Sequence, residues 1–134
     1  MENSRQYELP FGELVDKITI LQLRETLLNN PNYAEDIRKL EEDIDLTMRQ
    51  MGAVWTARTM RIMFLIAQLN TLIWLFKDKM EEGEEQYTTY LKLSHQVNGL
   101  KNALKNKLME STGGTPASLR TNIKTDGLPY YVSI

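Results

Sequence analysis

Apolar residues return every three or four positions through most of this chain, and that period predicts helices. Over positions 12–29, Leu14, Ile18, Leu21 and Leu28 fall on one face of a helical wheel, with Ile20, Leu23 and Leu27 nearly opposite. Pro31 is the predicted stop. A helix apolar on two sides cannot bury both against one neighbour, so it is central in a bundle or shared with another subunit. A second helix is expected from near Tyr33, with Ile37, Leu40, Ile44, Met48, Met51 and Trp55 as its seam and Gly52 as a break. Further on, Ile62, Ile66, Leu69, Ile73 and Phe76 keep the spacing inside a much wider apolar band. Over 84–110 the stripe is Tyr90, Leu93, Val97, Leu100, Leu104 and Leu108.

Positions 62–76 hold no charge, which raises the question of a membrane span. As a helix that run covers about 22 Å, short of the ~30 Å hydrocarbon core. It also holds Gln68, Asn70 and Thr71. It is therefore expected as a core helix, with Gln68 and Asn70 partnered inside the bundle, because an unpaired buried amide costs about 1–3 kcal/mol. Glu81, Glu82, Glu84 and Glu85 near the start of the last helix, and Lys101, Lys105 and Lys107 near its end, complement the helix dipole. Asn98, Asn102 and Asn106 form a polar strip at i+4 spacing.

The final stretch differs in kind. Gly113-Gly114-Thr115-Pro116 ends the helix, and two alternating segments follow. Leu119, Thr121 and Ile123 belong to one, Leu128, Tyr130, Val132 and Ile134 to the other, with Asp126-Gly127 between them. That pattern predicts a β-hairpin or an extended arm. The expected architecture is all-α: an antiparallel bundle of three to four long helices over 1–110, and a C-terminal arm over 111–134.

Composition narrows the function. The chain has 134 residues, 42% hydrophobic and 25% charged, which suits a globular protein. Sixteen basic against eighteen acidic residues argue against duplex nucleic acid as a partner. With no cysteine, disulfides, thiol nucleophiles and thiolate metal sites are excluded. A lone histidine, His95, rules out a His-rich metal site, and no cofactor is expected. The polar opening residues carry no signal-peptide pattern, so a cytoplasmic location is expected, with no membrane partner.

Residues 7–21, Tyr-Glu-Leu-Pro-Phe-Gly-Glu-Leu-Val-Asp-Lys-Ile-Thr-Ile-Leu, resemble the opening signature of an uncharacterised family of small helical bacterial and phage proteins. Pro10 stands where that family has Ser. Leu69-Asn70-Thr71-Leu72-Ile73-Trp74, followed by Lys77-Asp78-Lys79-Met80-Glu81, is similar to the family's Leu-Asn-x-x-Leu-Trp block, with Ile73 replacing Leu. Val97-Asn98 with Lys101 and Lys105 resembles its Lys-rich last helix. The likeness spans about 7–110 and implies a helical fold. It brings no activity.

Three groups of residues carry candidate chemistry. Asp16 falls among Ile20, Leu23 and Leu27 on the wheel, where an ionised carboxylate needs a partner. A structural ion pair with an arginine such as Arg58 or Arg61 is expected, and a ligand set around Asp16, Lys17 and Arg24 is the alternative. Glu41-Glu42-x-x-Asp45 with Asp78-x-x-Glu81 has the spacing of Mg²⁺-binding carboxylates on facing helices, although such pairs are usually solvated. Gly113-Gly114-Thr115 with Arg120 and Lys124 offers N–H groups, a hydroxyl and cations to an anion, and Tyr130 and Tyr131 offer rings to stack.

The resulting expectation is a non-enzymatic homo-oligomer that binds or sequesters an anionic small molecule, such as a nucleotide, at an inter-subunit pocket. Lys17, Arg24, Arg58, Arg61, Thr115, Arg120, Lys124, Tyr130 and Tyr131 are its candidate ligand residues. The alternatives are a structural or assembly protein without a small ligand, and a Mg²⁺-dependent all-helical nucleotide pyrophosphohydrolase.

Overall fold

The computed structural model describes residues 9–52 and 56–111. They form α1 (Phe11–Leu27), a 3₁₀ turn (Pro31–Tyr33), α2 (Ala34–Met51), α3 (Ala57–Met80) and α4 (Glu84–Ser111). The described fold is all-α. The predicted arm lies outside the described residues except for Ser111, which belongs to α4; Thr115, Arg120, Lys124, Tyr130, Tyr131 and Trp55 are also outside them.

Local chemistry sets the helix ends. Pro10 is extended ahead of α1, and Asn29 stands in the left-handed region at φ 50° just beyond it. The helix therefore stops short of the predicted 29. Leu28, expected in the core, is 51% exposed. The Asn30 side chain accepts the Asn32 N–H at 2.9 Å and opens the turn into α2. Gly52, at φ 60°, closes α2 where the break was predicted. Thr56 caps α3 by accepting the Thr59 N–H at 3.1 Å.

Three helices share the main core. α3 and α4 form an antiparallel hairpin, shown by the Thr59–Ser111 hydroxyl contact at one end and the Phe76–Tyr90 ring contact at the other. α1 lies against both and runs antiparallel to α4, so that Gly12 meets Met109 while Asp16 meets Lys101. Phe11, Val15, Ile62, Ile66, Leu69, Val97, Leu104 and Leu108 fill the interior. The backbone of α2 approaches α1 and no other long helix; Leu40 seals Leu14 and Leu21 in a smaller cluster, and Ile44, Met48 and Met51 pack against the main core. On its outer face Arg38 holds both Glu35 and Glu42, an exposed arrangement of little energetic weight.

α3 is long and apolar enough, by length and composition, to cross a membrane, yet only a third of its apolar window is buried. Its inner face carries Ile62, Ile66, Leu69, Asn70 and Phe76, as a core helix requires. Its outer face is open: Met60, Phe64 and Leu75 are 43%, 59% and 50% exposed. Gln68, expected to need a buried partner, also faces outward. A helix with neighbours on one side only has no call on a second buried face.

Candidate functional site

The centre of the α1–α3–α4 contact is polar. Gly12 makes it possible, because a Cβ there would sit 3.0 Å from the Lys105 carbonyl oxygen. At this close approach the carboxylates one and four residues further along α1 reach across to α4. Lys105 Nζ lies 2.8 Å from Glu13 Oε1 and 3.2 Å from Asp16 Oδ2. One turn earlier on α4, Lys101 Nζ lies 3.2 Å from Asp16 Oδ1.

Asn70 of α3 joins the two. Its amide donates to Asp16 Oδ1 and to Thr19 Oγ1, each at 2.8 Å, and its carbonyl accepts from Lys101 Nζ at 2.9 Å. Thr19 in turn donates to the Asp16 backbone carbonyl at 2.8 Å. Asp16, Asn70, Lys101 and Lys105 are all buried, and every one of their charged or amide groups has a partner. Burial pushes the Asp16 carboxyl up. The Asn70 hydrogen bond and the two ammonium groups together outweigh it and hold Asp16 below the ordinary carboxylate range.

The expected ion pair at Asp16 is therefore present, with different partners. Lys101 and Lys105 of α4 supply the cations. Arg58 and Arg61 are exposed on the opening turns of α3, where a rise of ~1.5 Å per residue places Arg61 about 13 Å from the level of Asn70. Three stretches far apart in the chain thus meet at one place: Gly12, Glu13, Asp16 and Thr19, then Asn70, then Lys101 and Lys105.

Beyond this network, toward the C-terminal end of α1, lies a cleft of about 200 Å³. Asn70 and Lys101 belong to its wall, with Ile20, Leu23 and Arg24 from α1, Ile73, Trp74 and Lys77 from α3, and Asn98 from α4. Three cations, two amides and an indole line it, and no carboxylate does. Among the described residues neither Arg24 nor Lys77 forms an ion pair. Ile20 and Leu23, on the second apolar side of α1, line this cleft opposite Asn98 and Lys101 of α4, and Leu27 is half exposed.

A neighbouring depression on α1 is lined by Glu13, Asp16, Lys17 and Arg24. Arg24 borders both. The structure thus brings Arg24 and Lys17 to the network, and leaves Arg58 and Arg61 at the other end of α3. Lys77, Asn98 and Lys101 join the wall through tertiary packing, and their local sequence pattern does not mark them as ligand groups.

The two acidic pairs do not face each other. Glu41, Glu42 and Asp45 are exposed on α2, which approaches only α1, while Asp78 and Glu81 are exposed at the end of α3. Among the described residues no group of three or more metal-binding side chains comes together. No family model, curated protein or solved structure matches this chain.

Proposed function

We propose that this chain is a non-enzymatic helical binding protein that takes an anionic small molecule carrying a planar ring, a nucleotide being the class that suits it, in the cleft between α1, α3 and α4. The observation that carries this reading is the wall itself: Arg24, Lys77 and Lys101 beside Trp74, with Asn70 and Asn98 and no acid. Cations and amides match phosphate oxygens, and an indole face matches a base. The cleft is smaller than the ~300–1,000 Å³ usual for enclosed ligand pockets, so the bound molecule keeps one side in water. Such a role suits a cytoplasmic protein of the bacterial and phage family named above.

Asp16 supports binding more than catalysis. Both of its oxygens are engaged by Asn70, Lys101 and Lys105, so it fixes the Lys101 ammonium at the cleft wall and is not placed as a base. Lys101 donates one hydrogen bond, to Asn70, and is held beside Asp16 by charge, which leaves donor capacity for a ligand.

Thermal shift and calorimetry against a panel of nucleotides and inorganic phosphate, with and without Mg²⁺ and with a product assay, test the proposal. A ligand at a hundred times its Kd stabilises by about 2.7 kcal/mol. Binding without turnover, weakened by salt, is the expected result. Turnover of a nucleotide returns the hydrolase reading, and no binding to any of them leaves the assembly reading.

A further inference from the structure

We infer that the cleft selects a nucleotide with phosphate groups on two separate sugar oxygens, a nucleoside bisphosphate, over one whose phosphates are joined in a chain. The inference rests on the cleft reading above and adds to it where the ligand carries its charge.

The cations of the wall stand at two levels. α1 and α3 both run antiparallel to α4, so they advance side by side in one direction. Lys101 Nζ is fixed at the inner end, 2.9 Å from Asn70 Oδ1 and 3.2 Å from Asp16 Oδ1. Lys77 lies seven residues beyond Asn70 on α3, a rise of about 10 Å. Arg24 lies five residues beyond Thr19, whose hydroxyl is bonded to that same Asn70, a rise of about 8 Å. Both mark the outer end. Of the charges near them, Lys79 is held by Glu82 at 3.3 Å, and neither Lys79 nor Asp78 belongs to the wall.

The levels between are apolar. Ile20 and Leu23 of α1 and Ile73 of α3 occupy them, together with the Trp74 indole. A phosphate set over those side chains loses water and gains no partner. A diphosphate chain placed on Lys101 therefore puts its second phosphate against the apolar middle. Placed on Arg24 and Lys77, it leaves Lys101 without an anion from the ligand. Phosphates on the 3′ and 5′ oxygens are held apart by the ribose, so each level of cations meets its own dianion while the sugar spans the apolar middle. The base is then left for the Trp74 ring, and the exposed Asn98 amide offers its edge both a donor and an acceptor.

Calorimetry of the full chain with the 5′-mono-, 5′-di- and 3′,5′-bisphosphates of adenosine and of uridine tests this. For at least one base, the bisphosphate should bind at least about tenfold more tightly than the other two, because one further charge-assisted contact is worth about that factor. A double variant, Arg24→Gln with Lys77→Met, changes two exposed positions and should keep its helical circular dichroism while losing this advantage. Lys77→Met alone should reduce the advantage, and it decides the matter where the double variant fails to fold. A 5′-diphosphate that binds as tightly as the bisphosphate, or an advantage untouched by these substitutions, overturns the inference and leaves the cleft reading standing. If none of these compounds binds, both fall.

Discussion

Gly12 and Lys105 touch through their backbones: a methyl group on Gly12 would fall 3.0 Å from the Lys105 carbonyl oxygen and 3.2 Å from its Cβ. Neither atom is the end of a flexible side chain, so α1 and α4 must separate to admit it. Gly12→Ala should therefore destabilise by about 1–2 kcal/mol in urea titration, despite the better helix propensity of alanine. A neutral or stabilising result would mean that the helices slide apart freely.

Removing the Asp16 carboxylate is expected to be more severe. Asp16→Ala leaves Lys101 with Asn70 alone and Lys105 with Glu13 alone, both ammonium groups still buried. The expected loss is about 3–5 kcal/mol. A double-mutant cycle with Lys101→Ala should show a coupling of about 1–3 kcal/mol, since the two groups share one network. A change under about 0.5 kcal/mol would place Asp16 at the surface.

The same carboxylate sets an acid limit. Its folded pKa lies below the ordinary 3.8, so the stability it contributes is present above that value and is lost as pH falls through the folded pKa. The Asp16-linked part of the stability should be constant from neutral pH to about 5 and fall below about 4. Asp16→Asn should abolish that part of the acid dependence. Glu35 is also held below its usual range by Arg38, but it is fully solvated and adds no comparable step. Equilibrium unfolding at stepped pH checks the difference.

Arg24→Glu and Lys77→Glu should separate binding from folding. Both positions are exposed, so each change should alter stability by less than about 0.5 kcal/mol. Either should remove nucleotide binding measured by calorimetry, by placing a carboxylate in a wall that has none. Arg58→Glu, about 18 Å along α3 from the level of Asn70, should leave that affinity unchanged.

The helices were legible because their punctuation is local. Pro31 and Gly52 act on their own backbones, and the stripes of α1, α2 and α4 repeat within each segment. The burial of Asp16 was legible for the same reason, since a wheel shows its apolar neighbours. Its partners were not, because pairing is a relation between segments far apart in the chain. A guanidinium is the usual mate of a buried carboxylate, which favoured Arg58 and Arg61.

A signal for the lysines does exist. Lys101 and Lys105 follow Val97 at successive i+4 steps, inside the stripe that includes Leu104 and Leu108, so they occupy core positions of α4. Their place near the end of α4 also complements the helix dipole, which masks that register. The open face of α3 was hidden for the opposite reason: apolar residues surround this helix, and only the number of neighbours decides which of them meet water.

Because the backbone of α2 approaches α1 and neither α3 nor α4, much of what holds it in place lies along one seam, with Ile44, Met48 and Met51 reaching the main core. Leu40 against Leu14 and Leu21, with Ile37, Ile44 and Tyr33 around them, forms the centre of that seam. The amides of α2 should therefore exchange with solvent through a partial opening that leaves α1, α3 and α4 assembled. A ligand in the cleft would slow exchange in those three helices and leave α2 exchanging at its own rate. One chain would then carry two clocks, and only one of them would register what the protein has bound.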